Sequence, residues 1–163
     1  MVRVRRGRTA LGAAALVASL GAGATACGDD EVAAPSTADF CLELEQSDDG
    51  DDSGPYSTFY DKHPDPTPAD WAADGHLVTE SIQASIDEVE AVNPSEEARP
   101  LVDEVLAALK AIKQNSIEIS EAGKNDDQAA IDELERVNQD TNVPAMMAAF
   151  ESVIQLCTAS PGS

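Results

Sequence analysis

From residue 68 onward the apolar residues return every three or four positions, and no segment alternates β-branched and polar residues over the length of a strand. Val78, Ile82, Ile86 and Val89 form one such series, with Glu80, Asp87, Glu88 and Glu90 on the opposite side. A second series, Val102, Val105, Leu109, Ile112 and Ser116, is flanked by Leu106 and Ile117. Ile131, Leu134 and Val137 make a third, and Met147, Phe150, Ile154 and Cys157 a fourth. Side chains three or four apart share one face of an α-helix, so each series defines a helix with a stripe to bury. The expected fold is all-α: an antiparallel bundle of about four longer helices plus a short N-terminal helix.

Start and stop signals divide these series. Thr67-Pro68-Ala69-Asp70 reads as a helix start, with Thr67 as cap, Pro68 in the first position and Asp70 in the electropositive first turn. That helix runs to about Val92, with Gly75 as a candidate break. Asn93-Pro94-Ser95-Glu96 repeats the signal, and Pro100 beyond it implies either a kink or a short turn before a fresh start. Gly123 reads as a C-terminal stop, Asn125 as the cap of the next helix, and Pro144 as the approximate start of the last. Connections of about two to five residues would then make the last three helices antiparallel neighbours. The short first helix, "STADFCLELEQ", has Ser36 or Thr37 as cap and presents either Ala38, Cys41 and Leu44 or Phe40 and Leu44 on one face. "SDDGDDSGP" halts it, and residues 56–68, with three prolines at alternate positions, read as an ordered, non-helical crossover.

The first 26 residues hold Arg3, Arg5, Arg6 and Arg8, no acidic residue, and the uncharged run "TALGAAALVASLGAGATA". That order, charged then apolar, belongs to a secretory signal peptide, and the run is too rich in Ala and Gly for a permanent membrane span. The chain thus divides into a leader (1–26), a flexible tether (27–35), a helical domain (36–157) and a disordered tail (158–163). Removal of the leader shifts the formal charge from -21 to -25, because it carries four of the ten basic residues and none of the 31 acidic ones. Such a surface repels nucleic-acid phosphate, so no nucleic-acid partner is expected and a cationic partner is the easier match.

Two cleavage patterns meet at the bond between Ala26 and Cys27. Ala24-Thr25-Ala26 is the small-x-small site of ordinary signal peptidase, and the same residues followed by Cys27 resemble the lipobox of bacterial lipoproteins, with Ala24 where that family usually carries Leu. The resemblance implies that Cys27 carries a diacylglycerol that holds the exported chain to the outer face of the cell membrane; ordinary cleavage leaves Cys27 as the first residue of a released protein. Cys41 and Cys157 each fall on the apolar stripe of an expected helix. If both stripes face one core, an oxidising compartment pairs them as a disulfide. Cys27 is then the odd cysteine, and lipidation accounts for it. With the arginine-rich leader, the ending "TAC", the early "DFC" and the late "LC", the chain resembles small helical lipoproteins of high-GC Gram-positive bacteria. That resemblance implies an extracytoplasmic, membrane-tethered domain and no particular reaction.

Other motifs are incomplete. Asp49-x-Asp51-x-Ser53-Gly54 has the opening spacing of an EF-hand loop, but the twelfth position is Tyr60 rather than a bidentate Glu. A solvated acidic turn is the default, with Asp49, Asp51 and Ser53 as weak calcium candidates. His76 and Glu80 lie one helical turn apart, short of the three or four ligands of a zinc site. No Gly-x-Ser-x-Gly elbow or phosphate-cradling loop occurs in the domain. No catalytic residue, metal or cofactor is therefore assigned. Tyr56, Phe59, Tyr60 and Trp71 either cover one end of the core or line a ligand groove. The expected function is a non-catalytic lipoprotein whose acidic domain contacts a protein or cell-envelope component. The alternatives are an extracytoplasmic ligand or calcium sensor using the aromatic groove or the acidic loop, and an enzyme of unrecognised type.

Overall fold

A computed structural model describes residues 34–47 and 55–159. They form α1 (Thr37–Ser47), α2 (Pro55–Lys62), α3 (Pro68–Ala91), α4 (Arg99–Lys124), α5 (Gln128–Val137) and α6 (Val143–Ala159), with a π-helical segment (Asn138–Asn142) between the last two. No strand occurs among the described residues, and the chain is an all-α bundle. The leader with Cys27, most of the tether, the acidic loop with Asp49, Asp51 and Ser53, and the end of the tail lie outside the described residues.

Side-chain caps set the helix starts. The Ser36 hydroxyl accepts from the Asp39 amide (3.2 Å) at the head of α1. Thr67 and Asp70 form a reciprocal capping box: Thr67 Oγ1 accepts from the Asp70 amide (3.4 Å) and the Asp70 carboxylate from the Thr67 amide (2.9 Å). From there α3 passes through Gly75 unbroken. Ser95 Oγ accepts from the Ala98 amide (3.2 Å) in a short turn, which leaves Pro100 in the first turn of α4, where its missing N–H has no helical partner to lose. Of the two readings of Pro100, the fresh start is the one the chain adopts.

Five expectations need correction. Residues 55–62 are helical rather than part of an extended crossover. Pro55 suits a helix's first position, and Pro64, Pro66 and Pro68 all lie beyond its last residue, so their restriction on preceding residues never reaches it. Asp127, not Asn125, caps α5 by accepting from the Ala130 amide (3.0 Å), while Asn125 closes α4 and donates from Nδ2 to the Glu121 carbonyl (2.9 Å). The left-handed turn residue is Asp126 (φ 55°), and Gly123 stays inside α4.

No turn separates α5 from α6. Pro144 lacks the N–H an α-helix would use, and its ring would clash with the preceding turn. The wider π segment just before it absorbs that misfit, with the Val143 amide donating to the Asn138 carbonyl five residues back. Helical backbone therefore continues past the proline, and α5, the π segment and α6 all pack against α4. Finally, α6 turns Met146, Ala149 and Val153 to the core and leaves Met147, Phe150 and Ile154 exposed. Of the expected stripe only Cys157 packs against the core, half-buried. Over residues 143–159 Glu151 is the one ionisable side chain, so periodicity alone does not choose a face.

Helix α4 is the centre of the assembly, with α3 on one side and α5 to α6 on another, while α2 packs on α3 and α1 on α6. Phe40, Val78, Ile82, Ile86, Val102, Val105, Leu109, Ile119 and Ile131 are buried in one contiguous core. Cys41 and Cys157 are bonded, with S–S 2.01 Å and Cα atoms 5.3 Å apart, so the first helix is joined covalently to the last. Near Trp71, α3 and α4 approach to a distance only glycine permits. A Cβ on Gly123 would lie 2.7 Å from the Pro68 carbonyl oxygen and 2.9 Å from the Ala72 amide; one on Gly75 would first meet the Ser120 hydroxyl.

Backbone atoms cannot move aside as a hydroxyl can. Gly123→Ala is therefore expected to destabilise the fold by about 1–3 kcal/mol in urea titration, and Gly75→Ala by clearly less. Equal losses would contradict this account of the contact. The Cys41→Ala/Cys157→Ala double variant is expected to lose about 2–5 kcal/mol by the same assay, because its unfolded chain is no longer constrained across a sequence separation of 116. An unchanged urea midpoint would show that α1 needs no tie.

Candidate functional site

Helix α2 and the loop after it lie on the first turns of α3, and their side chains form an aromatic cluster around a histidine. Phe59 (0% exposed) and Trp71 (2%) have ring centroids 4.6 Å apart. Tyr60 meets both nearly edge-on, at 5.1 Å from Phe59 and 6.3 Å from Trp71. These three of the four aromatic candidates come together, and they cover one end of the core; the Tyr56 side chain lies outside the described residues. Among the described residues the buried Trp71 Nε1 has no hydrogen-bond partner.

His63 follows α2, packs with its ring centroid 5.2 Å from that of Phe59 at a tilt of 50°, and sits between two carboxylates of α3. Its Nδ1 is 3.0 Å from Asp70 Oδ1 and its Nε2 is 2.8 Å from Asp74 Oδ2. Both bonds are donated at once only by the protonated ring. Lys62 joins the cluster by donating to Asp74 Oδ2 at 2.6 Å. Bonds from the Thr67 hydroxyl and amide hold Asp70 below the ordinary carboxylate range, and bonds from Lys62 and then His63 do the same for Asp74. With both ring nitrogens engaged, His63 fastens α2 to α3.

An open groove of about 310 Å³ runs between α3 and α4 beside Trp71, lined also by His76, Glu80, Ile117, Glu121 and Lys124. A second hollow of about 210 Å³ shares Ile117 and is bordered by Gln83, Glu90, Lys110 and Lys113. Each lysine on this face has an oxygen partner: Lys110 with Glu90 (2.8 Å), Lys124 with Glu121 (2.6 Å), and Lys113 with the Gln83 side-chain carbonyl. His76 and Glu80 are both exposed on the groove wall. Among the described residues no group of three or more His, Cys, Asp or Glu side chains is placed to hold a metal ion.

Sequence reasoning missed the His63 fastening. The capping box marks Asp70, and Asp74 lies one turn further on the same face, so the paired carboxylates were legible. The path of residues 64–66, which carries His63 back to them, left no periodic signal. No family model, curated protein or solved structure matches the chain.

A carboxylate held below its ordinary value stabilises the fold above that value and loses its contribution as the pH falls through the depressed one. The α2–α3 junction is therefore expected to loosen in acid below the usual carboxylate range, read by the emission of Trp71, the one tryptophan of the chain. Glu135, raised mainly by burial and then by Asp132, contributes with the opposite sign, so a local reporter is needed rather than global stability. Asp74→Asn should flatten the acid transition at Trp71. An unaltered transition in that variant would remove Asp74 from the account.

Proposed function

We propose that the chain is an extracytoplasmic lipoprotein, anchored to the outer face of the cell membrane through diacylglycerol on Cys27, whose acidic helical domain binds rather than catalyses. The observation that carries this reading is the bond between Cys41 and Cys157. Structural disulfides persist in oxidising compartments, in agreement with the arginine-then-apolar leader. The bond uses two of the three cysteines, and the third directly follows Ala24-Thr25-Ala26. A binding role draws support from His63, whose two nitrogens are both committed to carboxylates. The formal charge of -21 favours a cationic protein or envelope component as partner and disfavours nucleic acid. A second reading, a sensor of a small ligand, is favoured by the groove of about 310 Å³ beside Trp71.

Lipidation is tested in a host that processes the leader. The chain is expected in the membrane fraction with an N-terminal peptide whose mass includes diacylglycerol, and Cys27→Ser is expected in the soluble fraction. A Cys27→Ser protein that stays with the membrane, or a released chain with unmodified Cys27, would overturn the reading.

A further inference from the structure

On the side of α6 turned away from the core, Met147, Phe150 and Ile154 are 52%, 36% and 61% exposed, and exposed Glu151 lies among them. Residues 147, 150, 151 and 154 stand at i, i+3, i+4 and i+7 of one helix. Those are the four corners of the hole that receives a single side chain from a facing helix. Three corners are apolar and the fourth is a carboxylate. Glu151 accepts from Gln155 Nε2 at 3.2 Å and belongs to no ion pair among the described residues. It is also the one ionisable side chain of α6.

We propose that this face receives an α-helical segment of a partner protein, one Lys or Arg of that segment filling the hole. Such a side chain lays an aliphatic stem along apolar surface and keeps its charged head for water or a carboxylate. Here the stem covers Met147, Phe150 and Ile154, and the head donates a charge-assisted hydrogen bond to Glu151. The inference rests on the reading of the acidic domain as a binder of cationic partners, and it gives that partner a place and a shape. A second copy does not fill the hole in this way, because α6 holds no Lys or Arg and would bring Glu151 toward Glu151. An anionic lipid surface is repelled by the same carboxylate and by the formal charge of -21. The patch is small, so the complex is of the transient class that buries less than about 1,200 Å² in total. The wider acidic surface speeds encounter, and the hole fixes position.

The test titrates a fluorescent synthetic peptide with the full chain isolated from an exporting host, held in uncharged phosphatidylcholine vesicles where it carries lipid, with empty vesicles as blank. The peptide is an amphipathic helix of about 15 residues, with Leu at every third or fourth position, one Lys in the middle of the Leu face and further Lys on its flanks. A second peptide has the same composition in an order that forms no apolar face. Fluorescence anisotropy is expected to show the first peptide binding about tenfold more tightly than the second. Glu151→Gln and the Met147→Ala/Ile154→Ala double variant are each expected to weaken binding of the first about tenfold. Asp132→Asn, which removes the same charge from the exposed side of α5, is expected to weaken it less than about twofold. Retention of the Cys41–Cys157 bridge and an unchanged circular dichroism spectrum show that each variant is folded. Equal binding of the two peptides, equal weakening by Glu151→Gln and Asp132→Asn, or indifference to the Met147→Ala/Ile154→Ala pair would overturn the proposal and leave the cationic-partner reading standing on bulk charge. Binding of neither peptide would overturn both.

Discussion

The covalent tie between the first helix and the last is the constraint around which the described structure closes. α1 has 11 residues, too few for a helix to persist in water by its own hydrogen bonds, and it packs on α6. Bonding Cys41 to Cys157 holds α1 against α6 beside the buried Phe40 side chain. That geometry in turn depends on helical backbone running from residue 128 past Pro144 to Ala159. A turn at Pro144 would send the last helix elsewhere; the π segment lets it continue, and Cys157 arrives beside α1.

Within that frame α4 organises the packing, and its approach to α3 is governed by absence of side chain at Gly123 and Gly75. The close crossing seats Trp71, Trp71 stacks with Phe59, and Phe59 brings His63 to the two carboxylates of α3. A steric requirement at a glycine thus propagates to an electrostatic fastening on the outside of the bundle.

Much of this order was legible in the sequence where periodicity and capping chemistry agreed. The series in α3 and α4 buries Val78, Ile82, Ile86, Val102, Val105 and Leu109, and the Thr67 start is a reciprocal capping box. The bonded pair of cysteines was legible too, since each lay on an apolar stripe of a terminal helix. Legibility failed where one signal had two physical outcomes. A glycine late in a helix can end it or admit a neighbour, and Gly123 does the second. A proline can break a helix or be absorbed by a π segment, and Pro144 is absorbed. In α6 nearly every residue is apolar, so the spacing of Met147, Phe150 and Ile154 marked a face without showing that it points away from the core.

The functional reading rests on cysteine pairing more than on any pocket, because a bond between Cys41 and Cys157 leaves Cys27 to be accounted for at the point where a leader would be cut. Peptide mapping of the unreduced chain isolated from cells addresses that pairing directly. The account predicts one linked pair of peptides containing Cys41 and Cys157, and no free thiol at either. Recovery of either cysteine as a free thiol, or of Cys27 disulfide-linked to one of them, would contradict it.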